Sequence, residues 1–284
     1  DLYHTDEDRP EFNRGLFWHT EHYLGAETAT HRCFSRLHAV DRDLSTYGGG
    51  PALSHAYASG FLYHYYMTGE RSSKDAVVDL GTFAKTNIEI ELTLLNKGMR
   101  LAKNALRLFR RKKDKGGFVQ IDKVYGLDGP GRASGNAVAC LVDAFIVTQE
   151  IDYLDKAETL ICRCVGPSDN IEKREFGEIE TRWMYTIFLQ SLGYYLDIKG
   201  TTKNINTVYF YARDSLLHYA SWIRENEKLY LEQKEKLEFP NETWAVQDLR
   251  KINILLCVCK YSEVVERDLY FKKASAMLGK AIDR

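Results

Sequence analysis

The sequence predicts an all-α protein built from antiparallel helical hairpins in two layers, a complete or partial α/α toroid. Three observations carry that reading. Long apolar-aromatic segments alternate with amphipathic ones across short polar turns, four times along the chain. The first segment of each pair lacks a consistent polar face and the second has one, which assigns them to an inner and an outer layer. Strand-like alternation is confined to a short stretch near 116–126, where a β-like arm is expected.

The first hairpin reads as a helix over 52–67, a turn at Thr68-Gly69-Glu70 and a return over 73–87. Pro51 suits a first helical turn and Gly69 a helix terminus. The second spans 134–147, turns at Thr148-Gln149-Glu150 and returns over 153–165. The third spans 178–196, turns near Lys199-Gly200-Thr201 and returns over 206–224. The fourth spans 241–261, turns at Ser262-Glu263 and returns over 268–282. The returns share a Lys, an Ala and a Leu or Val after the turn, as in Lys74-Asp75-Ala76-Val77 and Lys156-Ala157-Glu158-Thr159-Leu160. The copies lie about 40 to 80 residues apart, which fits short tandem families poorly. Hairpins of this kind stack side by side to bury their apolar faces. Three stretches break the pattern. Residues 92–113 read as an extra amphipathic helix, 116–132 as a glycine-rich loop, and 225–238 as a charged, solvated helix running into a loop that ends at Pro240. The chain, 1–284, reads as a single domain, by itself or as the C-terminal part of a longer multidomain protein. It opens on Asp1 rather than Met, which leaves room for a removed leader or an upstream domain.

Composition narrows the function classes. Hydrophobic residues make up 44% and charged residues 28%, enough apolar material for a substantial core. Lys plus Arg number 39 against 40 Asp plus Glu, so no global basic field is available for nucleic acid or an anionic membrane. The local basic cluster over 107–115 reads as a solvated helix end. No apolar run approaches the length that spans a bilayer, and no motif calls for a cofactor. Localisation stays open between the cytoplasm and an exported compartment, as does oligomeric state. Cys162-x-Cys164 and Cys257-x-Cys259 lack the spacing of common zinc sites and sit in apolar helical stretches, where free, buried thiols are expected.

Candidate chemistry gathers in two places. Six of the eight histidines fall between residues 19 and 64: His19, His22, His31, His38, His55 and His64. Their neighbours include Trp18, Arg32 and Tyr57. Histidine is the side chain most easily tuned for proton transfer near neutral pH. His19 and His22 are spaced for one helical face, but His-Thr-Glu-His is one residue short of the zinc-protease pattern, and no metal is assigned. The second place is the set of inner-helix starts. Arg132 and Asn136 open the second hairpin, Glu180, Arg182 and Trp183 the third, and Glu242 and Trp244 the fourth, with Arg250 further along. An N-cap accounts for Asn241. Caps do not account for a Trp beside a carboxylate and an Arg at two separate helix starts.

These segments resemble known ones. His55, Tyr57 and Tyr65-Tyr66-Met67-Thr68-Gly69-Glu70 resemble inner-helix-plus-turn segments of α/α-toroid carbohydrate-active enzymes, the six-hairpin glycosidases and toroid polysaccharide lyases. Asn-Glu-Thr-Trp-Ala-Val-Gln-Asp-Leu-Arg over 241–250 has the same character. Trp18-His19-Thr20-Glu21-His22-Tyr23, followed by Thr28-Ala29-Thr30-His31-Arg32, resembles the toroid domain of rhamnogalacturonan-lyase-like proteins. The resemblance implies a carbohydrate substrate, a cleft where the inner helices begin, and an upstream β-sandwich domain in the same protein. Of the mechanisms such enzymes use, the histidine and tyrosine enrichment favours cleavage of a uronate-containing chain by β-elimination. For that reaction His55, Tyr57, His22, His31 and Arg32 would supply proton transfer and charge, and Trp18, His19, Asn136, Glu180, Arg182, Trp183, Trp244 and Arg250 would bind substrate. Two alternatives remain: a hydrolase using paired carboxylates drawn from Glu27, Asp41, Glu178, Glu180 and Glu242, and a non-catalytic scaffold that binds a glycan or a protein.

Overall fold

Four antiparallel hairpins account for most of the computed structural model, which describes residues 13–15, 51–92 and 127–282. Their helices are α1 (Ser59–Thr68) with α2 (Arg71–Leu92), α3 (Arg132–Thr148) with α4 (Ile151–Cys164), α5 (Tyr185–Thr201) with α6 (Thr207–Asn226), and α7 (Thr243–Val258) with α8 (Val264–Ile282). The all-α class is as the sequence predicts, and no strand occurs among the described residues. The β-like arm near 116–126 and the extra helix over 93–113 lie outside the described residues.

Local chemistry places the turns close to where the sequence does. Gly69 ends α1 in the left-handed region at φ 72°, a conformation that costs glycine nothing because it has no Cβ. Gln149 ends α3 in the same region, with its amide N–H on the Phe145 carbonyl. The Asn206 side chain caps α6 by accepting the Tyr209 N–H. Asn241 accepts the Thr243 N–H and so closes the turn into α7.

Three elements depart from the sequence reading. The first inner segment is not one helix from residue 52. Leu53–His55 forms a single 3-10 turn, and α1 begins only at Ser59. The third is broken as well: Ile179–Arg182 is one isolated turn, and α5 starts at Tyr185 after a bend through Trp183 and Met184. The segment read as solvated helix over 225–238 leaves the helix after Asn226 and turns inward. Glu227, Leu229 and Tyr230 are buried. The cause is Lys251 on α7, fully buried and satisfied from this segment: its Nζ pairs with Glu227 at 2.8 Å and donates to the Lys228 carbonyl at 2.7 Å. A buried ammonium needs such partners.

The packing follows the apolar patterning. Helix α3 packs against α1, α2, α4 and α5, and α5 against α6 and α7. One apolar cluster runs through all eight helices, from Leu53 to Met277. Residues Ala133 to Val138 are buried without interruption, so the start of α3 is enclosed all round. Two glycines set how close the inner helices come. A Cβ on Gly135 of α3 would lie 2.8 Å from the Phe188 backbone of α5, and one on Gly193 of α5 would lie 2.7 Å from the Cys257 Sγ of α7.

The cysteines are free, as expected, but not all are buried: Cys162 is exposed, because positions two apart on α4 face different ways, whereas Cys140 and Cys164 are enclosed. Cys33 lies outside the described residues. No helix among those described is long and apolar enough to cross a membrane.

Gly135→Ala is expected to lower the unfolding free energy in urea by about 1–3 kcal/mol, because the methyl meets backbone that cannot swing aside. Gly279→Ala in α8, where a Cβ meets nothing within 4 Å, should instead raise it by about 0.5–1 kcal/mol.

Candidate functional site

The first helices of the four hairpins line a cleft of about 400 Å³. The lead-in to α1 forms one wall with Tyr57 and Ser59. Arg132 and Asn136, in the first turns of α3, form the next. Trp183 at the bend before α5 and Gln190 on α5 follow, and Arg250 of α7 closes the set. Trp183 both lines this cleft and packs against the small apolar cluster of Ile179, Tyr230, Leu237 and Trp244.

Two guanidinium groups dominate the electrostatics. The Arg132 guanidinium lies over the Trp183 ring, 5.4 Å from its centroid. The Trp183 ring in turn meets Trp244 edge-on at 6.2 Å. Arg250 is held by neutral groups, donating to Gln190 Oε1 at 2.7 Å and Gln247 Oε1 at 2.9 Å. Among the described residues neither arginine has a carboxylate partner. Burial, and after it the charge of Arg132, pushes the Arg250 guanidinium down from its ordinary range. Arginine nevertheless keeps its charge in proteins. Two positive groups of one cleft therefore face each other with no anion between them.

Below the cleft lies a buried acid. Asp143 of α3 is fully enclosed and has no cation partner among the described residues. It accepts from Ser59 Oγ at 2.7 Å and from the Tyr194 hydroxyl at 2.7 Å. Burial pushes its carboxyl up to about 6, against the lowering effect of those two hydrogen bonds. Tyr194 is raised from its usual range, by burial first and by the adjacent Asp143 second.

The structure brings together five of the residues the sequence singles out: Tyr57, Arg132, Asn136, Trp183 and Arg250. Asn136 also fixes the lead-in to α1 by donating to the Ser54 carbonyl at 3.0 Å. Others sit elsewhere. His55 shares the 3-10 turn before Tyr57, with Nδ1 2.9 Å from Ser54 Oγ, and does not line the cleft. Glu180 accepts the Glu238 N–H, and Arg182 pairs with Glu175. Trp244 packs under Trp183 with its indole N–H on the Phe239 carbonyl. Glu242 is an exposed residue ahead of α7. Glu180, Arg182 and Trp244 anchor the loops that carry the cleft rather than lining it, and Glu242 does not line it either. Trp18, His19, His22, His31 and Arg32 lie outside the described residues, as do Glu27, Asp41 and His38. His64 is tied to Ser73 at 2.8 Å, an α1–α2 contact.

Comparison with family models, with curated proteins and with solved structures gave no match.

Sequence reasoning missed Ser59, Gln190, Tyr194 and Asp143. For Asp143 a signal existed: a lone carboxylate within an otherwise apolar run, which must find hydrogen-bond donors once that run is enclosed. No cluster of three or more His, Cys, Asp or Glu suited to a metal occurs among the described residues.

Because the native state holds the Asp143 proton to higher pH than the unfolded chain does, its contribution to stability is full below the unfolded value near 4. It is lost as pH rises through about 6. Urea unfolding of the wild type and of Asp143→Asn across this range should show the wild type losing about 2 kcal/mol relative to the variant as pH rises. A pH-independent difference would mean that Asp143 is already ionised when the protein folds in mild acid.

Proposed function

We propose that the four hairpins form an arc of an α/α toroid whose cleft binds an acidic saccharide chain and cleaves it by β-elimination. The observation that carries this reading is the pair Arg132 and Arg250 in one cleft with aromatic walls and, among the described residues, no carboxylate partner for either. A saccharide carboxylate satisfies both guanidinium groups at once, and ring faces find Tyr57 and Trp183 alongside.

The same pair suits elimination from a uronate. The reaction needs the substrate carboxylate neutralised so that the proton at C5 becomes removable. A base takes that proton, the electron pair forms the C4–C5 double bond, the C4–O bond breaks, and the departing oxygen takes up a proton. Arg132 and Arg250, both in the cleft lining, support the first requirement. Among the described lining residues Tyr57 is the group whose hydroxyl suits proton transfer, and Asn136 and Gln190 supply orienting amides. His22, His31 and Arg32 keep the proton-transfer and charge roles that the resemblance implies for them. The described lining includes no carboxylate, so the hydrolase alternative, which needs two of them facing the bond, draws no support from it. A scaffold that binds without cleaving uses the same arginine pair and is separated by assay.

Incubation with a panel of pectic and other uronate-rich polysaccharides should release unsaturated uronate, read as ultraviolet absorbance of the conjugated product. Arg132→Ala and Arg250→Ala should each lower kcat/KM by about 100-fold or more, with helicity retained. New reducing ends without that absorbance would turn the reading to hydrolysis. Neither signal, with binding retained, would leave the scaffold.

A further inference from the structure

The cleft does not end at Gln190. That side chain is shared with a second cavity of about 300 Å³, lined by Gln190, Tyr194 and Asp197 from α5, by Asn253 and Leu256 from α7, and by Lys260 from the turn after it. On α5 the lining residues run from Ile187 to Asp197, and along α7 and the turn after it from Arg250 to Lys260. Ten residues of helix span about 15 Å, the length of about three linked pyranose rings. Gln190 marks the junction: Oε1 accepts from Arg250 and Nε2 donates to Asn253 Oδ1 at 3.0 Å.

Helix α1 supplies further aromatic groups. Gly60 lines the cleft, and Tyr63 and Tyr66 follow it at three-residue spacing, each one turn on from the last. Both rings are more than half exposed, at 59% and 60%. Both act electrostatically on the hydroxyl of Tyr194, which itself lines the second cavity. Tyrosine rings together with amide and carboxylate groups are the chemistry that holds a sugar by its ring faces and hydroxyls.

The two cavities differ in charge. The first holds the two arginines. In the second, Asp197 takes Lys260 Nζ at 2.7 Å and the Tyr261 hydroxyl at 2.8 Å, so the pair carries no surplus positive charge for another carboxylate. Asn253, exposed, has its amide nitrogen to offer once its oxygen is taken by Gln190.

We infer that the second cavity is a further saccharide subsite, one that reads a pyranose by its hydroxyls and ring face rather than by charge, so that the protein grips a stretch of chain and not a single uronate. This rests on the proposed reading of the first cleft as the uronate site.

The test is calorimetric titration with two series of ligands, on glucuronate and on galacturonate, each taken alone and extended by one and two neutral pyranoses. Every member of a series carries one carboxylate, so any gain with length comes from contacts other than charge. Affinity should rise about tenfold or more from the single uronate to the trisaccharide. Asn253→Ala and Tyr63→Ala should each cut that ratio severalfold. Affinity independent of length, with the single uronate still bound, would overturn the second subsite and leave the uronate site standing. Absence of binding to every member of both series would overturn the uronate site and the inference together.

Discussion

Asp143 ties three successive inner helices together. Standing on α3, it takes one hydroxyl from the start of α1, through Ser59, and one from the middle of α5, through Tyr194. Without a cation beside it, the carboxylate depends on those two donors for what water would otherwise give. They in turn hold Ser59 and α5 in register around the cleft above. The glycine contacts serve the same arrangement from the apolar side. Gly135 and Gly193 let α3 and α5, and α5 and α7, approach closely at the points where they cross.

Other buried charges are handled differently. Lys199 pairs with Glu158, whose carboxylate also takes the Tyr195 hydroxyl and the Asn206 amide. Lys251 pairs with Glu227 and with Asp248. Both networks are closed, each cation meeting an anion within the fold. They fasten α4 to α5 and the 227–230 segment to α7. At the cleft the pattern stops: Arg132 rests on an indole and Arg250 on two amides. Among the described residues no anion neutralises these two, so positive potential remains at the cavity they face.

Much of the fold was legible because helical hairpins announce themselves locally. Period, turn residues and caps are properties of neighbouring positions, and Gly69, Gln149 and Asn206 end or begin helices close to where the sequence suggests. The breaks were not legible. The bend at Trp183 and the 3-10 turn before Ser59 interrupt segments whose apolar content continues without change, and only tertiary contacts decide them. The inward turn after Asn226 was hidden for a similar reason. A Lys at position 251 looks solvated in sequence, and its burial commits Glu227 and the Lys228 carbonyl, 23 and more residues away, to come inside. The site divides the same way. Tyr57, Asn136, Trp183 and Arg250 stood out because unusual polar or aromatic residues opened apolar helices. Glu180, Arg182 and Trp244 stood out on the same grounds and prove to be anchors, since a helix start needs its loop fastened as well as its cleft lined. Gln190 and Tyr194 were missed because their role comes from a partner on another helix.

The account turns on the claim that Arg132 and Arg250 together recognise a carboxylate carried by a saccharide. The most direct measurement is the affinity of the protein for an acidic oligosaccharide against the same oligosaccharide with its carboxyl groups reduced to alcohols, at low and at high salt. The acidic form should bind about tenfold or more tightly, a preference that shrinks as salt rises and the charges are screened. Equal affinity for the two forms at low salt would contradict the claim.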